Sequence, residues 1–125
     1  MSLSGVVSKT FPAGRRVTNV ETLGAVSTKT WTVTSSMRWL IIGGYAERDQ
    51  NATLDLKATD SSNKTIMICE QIAAGTTNIG FGNFATDSEF AFNPFILDSG
   101  DKIVLTWGAA QTTPEIALLV LEIGL

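Results

Sequence analysis

The chain has 125 residues, enough for one domain with its own core and too few for two. Apolar residues make up 44% and charged residues only 17%, so the composition excludes a disordered chain and leaves little charge for the surface of a free monomer. The net charge of −3 argues against a nucleic-acid binder, and the absence of histidine removes Ser-His and Cys-His catalysis, histidine acid–base chemistry and nearly all zinc sites.

Charge is spread unevenly. Lys9, Arg15 and Arg16 precede the first acid, Glu21, whereas the rest of the chain is acidic. Residues 1–19 show neither a helical nor a strand period, and they read as an extended, weakly basic N-terminal arm. The stretch "MSLSGVVSKTFPAGRR" has no continuous apolar core after a basic start, so it does not read as a signal peptide. No apolar run reaches the roughly 18 residues of a membrane helix.

Residues 20–125 read as a sandwich domain. "KTWTVTS" alternates, with Trp31 and Val33 on one face and Thr30, Thr32 and Thr34 on the other, the period of a half-buried strand. "MRWLIIGGYAER" is apolar on both faces: Leu40 and Ile42 on one, Trp39, Ile41 and Tyr45 on the other. A strand of that kind is central or lies in an interface, and Gly43 and Gly44 suggest a bulge. "ATLDLKAT" places Ala52, Leu54, Leu56 and Ala58 inward. "DSSN" then supplies turn residues, and "KTIMICEQI" returns as the second strand of a hairpin. "AAGTTNIGFGNF" reads as a loop with a short irregular strand, and Pro94 confines "SEFAFNPFIL" to an edge or a strand start. "KIVLTWG" and "EIALLVLEI" complete the set. About eight short strands spaced by turns predict an all-β, antiparallel, jelly-roll-like sandwich. An immunoglobulin-like sandwich is the alternative, and its Cys…Trp…Cys hallmark is missing.

Sites for chemistry are few. In "ILDSGDKIVLTWG", Asp98 and Asp101 flank Ser-Gly. Asp and Gly are what a tight turn between strands requires. A calcium site would need more oxygens, from Glu47, Asp49, Asp87 or Glu89, and their spacing follows no cation motif. Twelve acids leave a hydrolase pair open, but a short chain with short loops offers little room for a cleft. Trp31, Trp39 and Trp107, with Tyr45, suit either the core or a sugar-stacking platform. "GGYAERD" and "GFGNF" match no phosphate loop. Cys69, the single cysteine, sits in an apolar run and reads as a small buried hydrophobe. No catalytic residue, metal or cofactor is expected.

The last strand points to association. Ile116, Leu118 and Val120 share one face, and Leu119, Leu121 and Ile123 the other. The core takes one face, and a second copy of the chain would cover the other. Trp39, Ile41, Tyr45, Leu119, Leu121 and Ile123 are the candidates for this oligomer interface.

The order of "TWTVTSSMRWLIIGGYAERDQNATLDLKAT", "DSSNKTIMICEQIAAGTT" and "PFILDSGDKIVLTW" resembles the small β-sandwich virion proteins of tailed bacteriophages, including capsid decoration (cement) proteins. "ILDSGDKIVLTW" also looks like part of the trimeric jelly rolls of the C1q and tumour-necrosis-factor type, whose secretory or collagen-like leader is not seen here. The resemblance spans about residues 28–123. It implies a non-enzymatic structural protein, made in the host cytoplasm and placed on the virion, on the capsid rather than the tail. It would bind as a homo-oligomer, by preference a trimer, to the major capsid protein or another virion protein, without direct contact with nucleic acid or membrane. The arm residues Lys9, Phe11, Pro12, Arg15 and Arg16 would then dock on the acidic shell. A tail-associated or carbohydrate- or receptor-binding module is the alternative.

Overall fold

The structure is a computed structural model and describes residues 15–82 and 92–124. These form nine strands: β1 (Arg15–Thr22), β2 (Val26–Thr32), β3 (Met37–Ala46), β4 (Ala52–Thr59), β5 (Thr65–Gly75), β6 (Ile79–Gly82), β7 (Phe95–Leu97), β8 (Lys102–Gln111) and β9 (Glu115–Gly124). The first sheet runs β1-β9-β3-β6, with β7 also paired to β3, and the second runs β2-β8-β4-β5. All pairings are antiparallel. Because β6 and β7 share one flank of β3, the strands fill eight positions, and their order is that of a jelly roll. The expected fold is therefore the observed one.

The alternation read in the sequence places the core. Leu54, Leu56 and Ala58 of β4 meet Ile103, Leu105 and Trp107 of β8 across the ladder, and all six are buried. Ile41, Phe81, Ile116 and Val120 close the core from the first sheet. The β4–β5 turn is held by Asp60, whose Oδ1 accepts from the backbone N–H groups of Ser62 and Lys64, both at 2.9 Å. Asn63 takes φ 66°, a value that asparagine tolerates.

Residues 15–19 are not a free arm. They begin β1, which pairs with β9 from Arg15 opposite Glu122 to Thr22 opposite Glu115. An edge strand is held by its backbone bonds to one neighbour and needs no alternation of its own, and "RRVTNVET" shows none. Among the described residues the sandwich therefore begins at Arg15, and the rest of the predicted arm, residues 1–14 with Lys9, Phe11 and Pro12, lies outside them.

A bulge in β3 reverses which side chains face inward. The register against β9 slips between Ile41 and Gly43, so Trp39 and Ile41 point into the core whereas Tyr45, opposite Ala117, points out. Gly44 next to the bulge is needed for close packing: a Cβ there would lie 2.4 Å from the Ala117 carbonyl oxygen and 2.7 Å from the Phe81 ring.

Candidate interaction surface

The two sheets differ on their outer faces. The second sheet presents Thr28, Thr30, Asp55, Gln71 and Thr106, with Lys57, and two aliphatic side chains, Val104 and, at the β5 edge, the exposed Ile68. That is an ordinary solvent face. The first sheet presents Leu119, Leu121 and Ile123 from β9, flanked by Leu40 and Tyr45 of β3, Ile96 of β7 and Val20 of β1. Ile42, the extra residue of the bulge, adds a further half-buried aliphatic side chain. Leu119, Leu121 and Ile123 are buried within the single chain yet lie outside the core cluster, so they form a separate apolar layer that the chain itself largely covers. At its margins Val20 and Ile96 remain 60% and 52% exposed.

Of the predicted interface residues, Leu119, Leu121, Ile123 and Tyr45 lie on this outer face. Trp39 and Ile41 do not. Both are core residues, and Leu40 and Ile42 take the places assigned to them. The sequence shows that β3 is apolar on both faces but not which face is inside, because the bulge breaks the period within the strand. At one end of the layer Arg38, paired with Asp98 at 2.8 Å, forms a charged rim. At the other end Tyr45 lies near Glu47 and Glu115. Its phenol is pushed above its ordinary range, first by desolvation and then by these two carboxylates.

The acids are structural. Asp98 and Asp101 tie one corner: the Asp98 N–H donates to Asp101 Oδ2 at 3.0 Å, and the Asp101 N–H donates to the Asp98 carbonyl at 3.0 Å. Gly100 between them has φ 87°, which favours glycine. The Ser99 hydroxyl donates to the Met37 carbonyl, joining this corner to the start of β3. Glu47 and Asp49 work at the other end of β3, about 30 Å away at ~3.3 Å per residue. There Glu47 accepts from the Glu115 N–H at 2.6 Å, and Asp49 accepts from Thr112 and Thr113 at 2.8 and 2.6 Å. No group of three or more Asp, Glu, His or Cys side chains among the described residues is placed to hold a metal ion. Asp87 and Glu89 lie outside the described residues.

The tryptophans form no platform. Trp31, Trp39 and Trp107 are all buried in the core. Trp107 donates to the Glu47 carbonyl at 3.0 Å, and Trp39 donates to Glu122 at 2.9 Å. The stacking surface that a carbohydrate-binding reading rested on is therefore occupied by packing.

Three features escaped the sequence reading. Arg48 is buried: its Nε donates to the Thr77 carbonyl at 2.8 Å, and its Nη1 donates to the Ala52 and Ala73 carbonyls at 2.8 and 2.7 Å. The side chain thereby joins the β3–β4 and β5–β6 connections, and burial lowers its pKa. Glu122 and Glu70 are buried carboxylates inside otherwise apolar strands, and burial raises the pKa of Glu70. Cys69 lies partly buried against the core, as its apolar context suggested. Its thiol is pushed up to about 12, first by desolvation and then by Glu70, which disfavours the nucleophilic thiolate. No protein-family model matches the chain, and no curated protein is similar to it in sequence.

Proposed function

We propose that the chain is a non-enzymatic structural protein of a virion, a capsid decoration protein that associates with itself and reinforces the shell. The observation that carries this reading is the contrast between the outer faces. The second sheet carries Thr, Asp and Lys over most of its outer face, with exposed aliphatic side chains only at its β5 edge. On the first sheet Leu119, Leu121 and Ile123 are already buried within the single chain, and what stays open is the margin of their layer, where Val20 and Ile96 are exposed and can meet another apolar surface. A second copy is the occupant, because Val20 and Ile96 at the exposed margin are uncharged, and uncharged patches are where copies of an acidic chain approach with least repulsion. In a closed trimer each protomer sets this margin against a different surface of the next protomer, the heterologous contact of a three-fold ring. The carboxylates that chemistry would need hold turns, which favours a mechanical role. Residues 1–14, with Lys9, Phe11 and Pro12, are the arm that reaches the major capsid protein or another shell subunit, and Arg15 and Arg16 mark its root on β1.

Co-sedimentation with capsid shells assembled without this protein tests the reading. The full chain is expected to pellet with shells, and a chain lacking residues 1–14 to remain in the supernatant as an intact oligomer. A full chain that stays in the supernatant contradicts the proposal.

A further inference from the structure

We infer that the Thr65–Cys69 edge of β5 is a second contact surface, and that it takes the same segment of another copy. Among the described residues, β5 is the outermost strand of its sheet and pairs only with β4. One row of its backbone N–H and C=O groups therefore faces away from the sheet. Ile66 and Ile68 stand on this strand 53% and 61% exposed. They lie on the opposite sheet from the Val20 and Ile96 layer, so the two surfaces are separate.

Edge strands are commonly guarded by lysine, proline or inward charge. The run Thr65-Ile66-Met67-Ile68-Cys69 carries none of these; Lys64 and Glu70 flank it in the chain, and Lys57 of β4 lies opposite Ile68. The guard present is of another kind: β5 holds an extra residue at Ile66 and at Cys69 relative to β4. Such bulges shorten the length over which a new strand can pair. They leave a contact made of a few backbone bonds and exposed side chains, and they block open-ended sheet growth.

A second copy fits that limit. For an acidic chain, an uncharged segment is where two copies can approach. Ile66 and Ile68 are symmetric about Met67. An antiparallel two-fold through Met67 therefore sets Ile66 of each copy against Ile68 of the other, and both apolar pairs form together. Joined to the outer-face contact of the first sheet, this edge would link closed oligomers to one another.

Light scattering on the full-length chain tests this with separable outcomes. Ile66→Lys with Ile68→Lys should lower the particle mass to that of the oligomer held by the outer-face contact alone. Val20→Lys with Ile96→Lys should leave a β5-linked dimer, and all four changes a monomer. A β5 variant with unchanged mass overturns the inference. An unchanged mass for the Val20/Ile96 variant, with a monomeric β5 variant, would instead overturn the outer-face contact. A second measurement fixes the occupant: in a Cys69→Ser background, Met67→Cys should form a disulfide-linked dimer of the purified chain under mild oxidation. Absence of that dimer overturns pairing between copies, including the case in which a foreign strand takes the edge.

Discussion

The indole N–H of Trp39 donates to Glu122 Oε2 across the β3–β9 ladder at 2.9 Å, inside the sandwich. Trp39 is therefore fastened to the core by a charge-bearing partner, and Thr34 Oγ1 donates to the same oxygen at 3.3 Å. Trp39→Phe should keep the ring in place and withdraw one donor from a buried carboxylate. The expected loss is about 1–3 kcal/mol in denaturant unfolding. Particle mass should stay the same, whereas an interfacial Trp39 would lower it.

Arg48 should behave as a clamp. Arg48→Met retains much of the buried chain and removes the donors to three carbonyls. Stranding buried acceptors costs about 1–3 kcal/mol each where water cannot replace the donor. The variant should melt at a lower temperature, with earlier amide exchange in the β3–β4 and β5–β6 connections. Exchange raised uniformly over the chain would argue against a local clamp.

Much of this architecture was legible and some was not, for physical reasons. β4, β8 and β9 alternate or run apolar because both their neighbours are strands and their inner faces fill the core. β1 was invisible because an edge strand is held by its backbone to one partner. The inward face of β3 was misassigned because one extra residue at Ile42 reverses the parity. The outer apolar layer was half legible: β9 pointed to it directly, and β3 pointed to it through the wrong residues. Arg48 and Glu70 carry no sequence signal, since a buried charge is defined by loops and bulges that bring distant segments together.

Glu70 gives a pH dependence of known sign. Burial raises its folded-state pKa above the ordinary value of 4.5. The folded state then holds the proton more tightly, so this group's stabilising effect is complete below the unfolded value. It is lost as pH rises through the folded value. Glu70→Gln should therefore melt higher than the native chain at neutral pH and level with it in acid. A neutral-pH melting point below that of the native chain would show that the carboxylate has a stabilising partner.

The boundary of the arm can be checked by truncation. Removing residues 1–14 leaves the nine strands of the described residues and should leave the melting temperature nearly unchanged. Removing residues 1–19 deletes most of β1 and uncovers β9 along its register from Glu122 to Leu118. That form should be markedly less stable or insoluble. Equal stability of the two truncations would mean that β1 contributes nothing to the sandwich.

The mass of the native particle tests the central claim most directly. Light scattering of the purified chain at micromolar concentration should give a multiple of the 13.3 kDa protomer. That multiple should fall when Val20 and Ile96, at the margins of the apolar layer, are both changed to lysine. A native particle of one protomer mass across the concentration range would contradict the account.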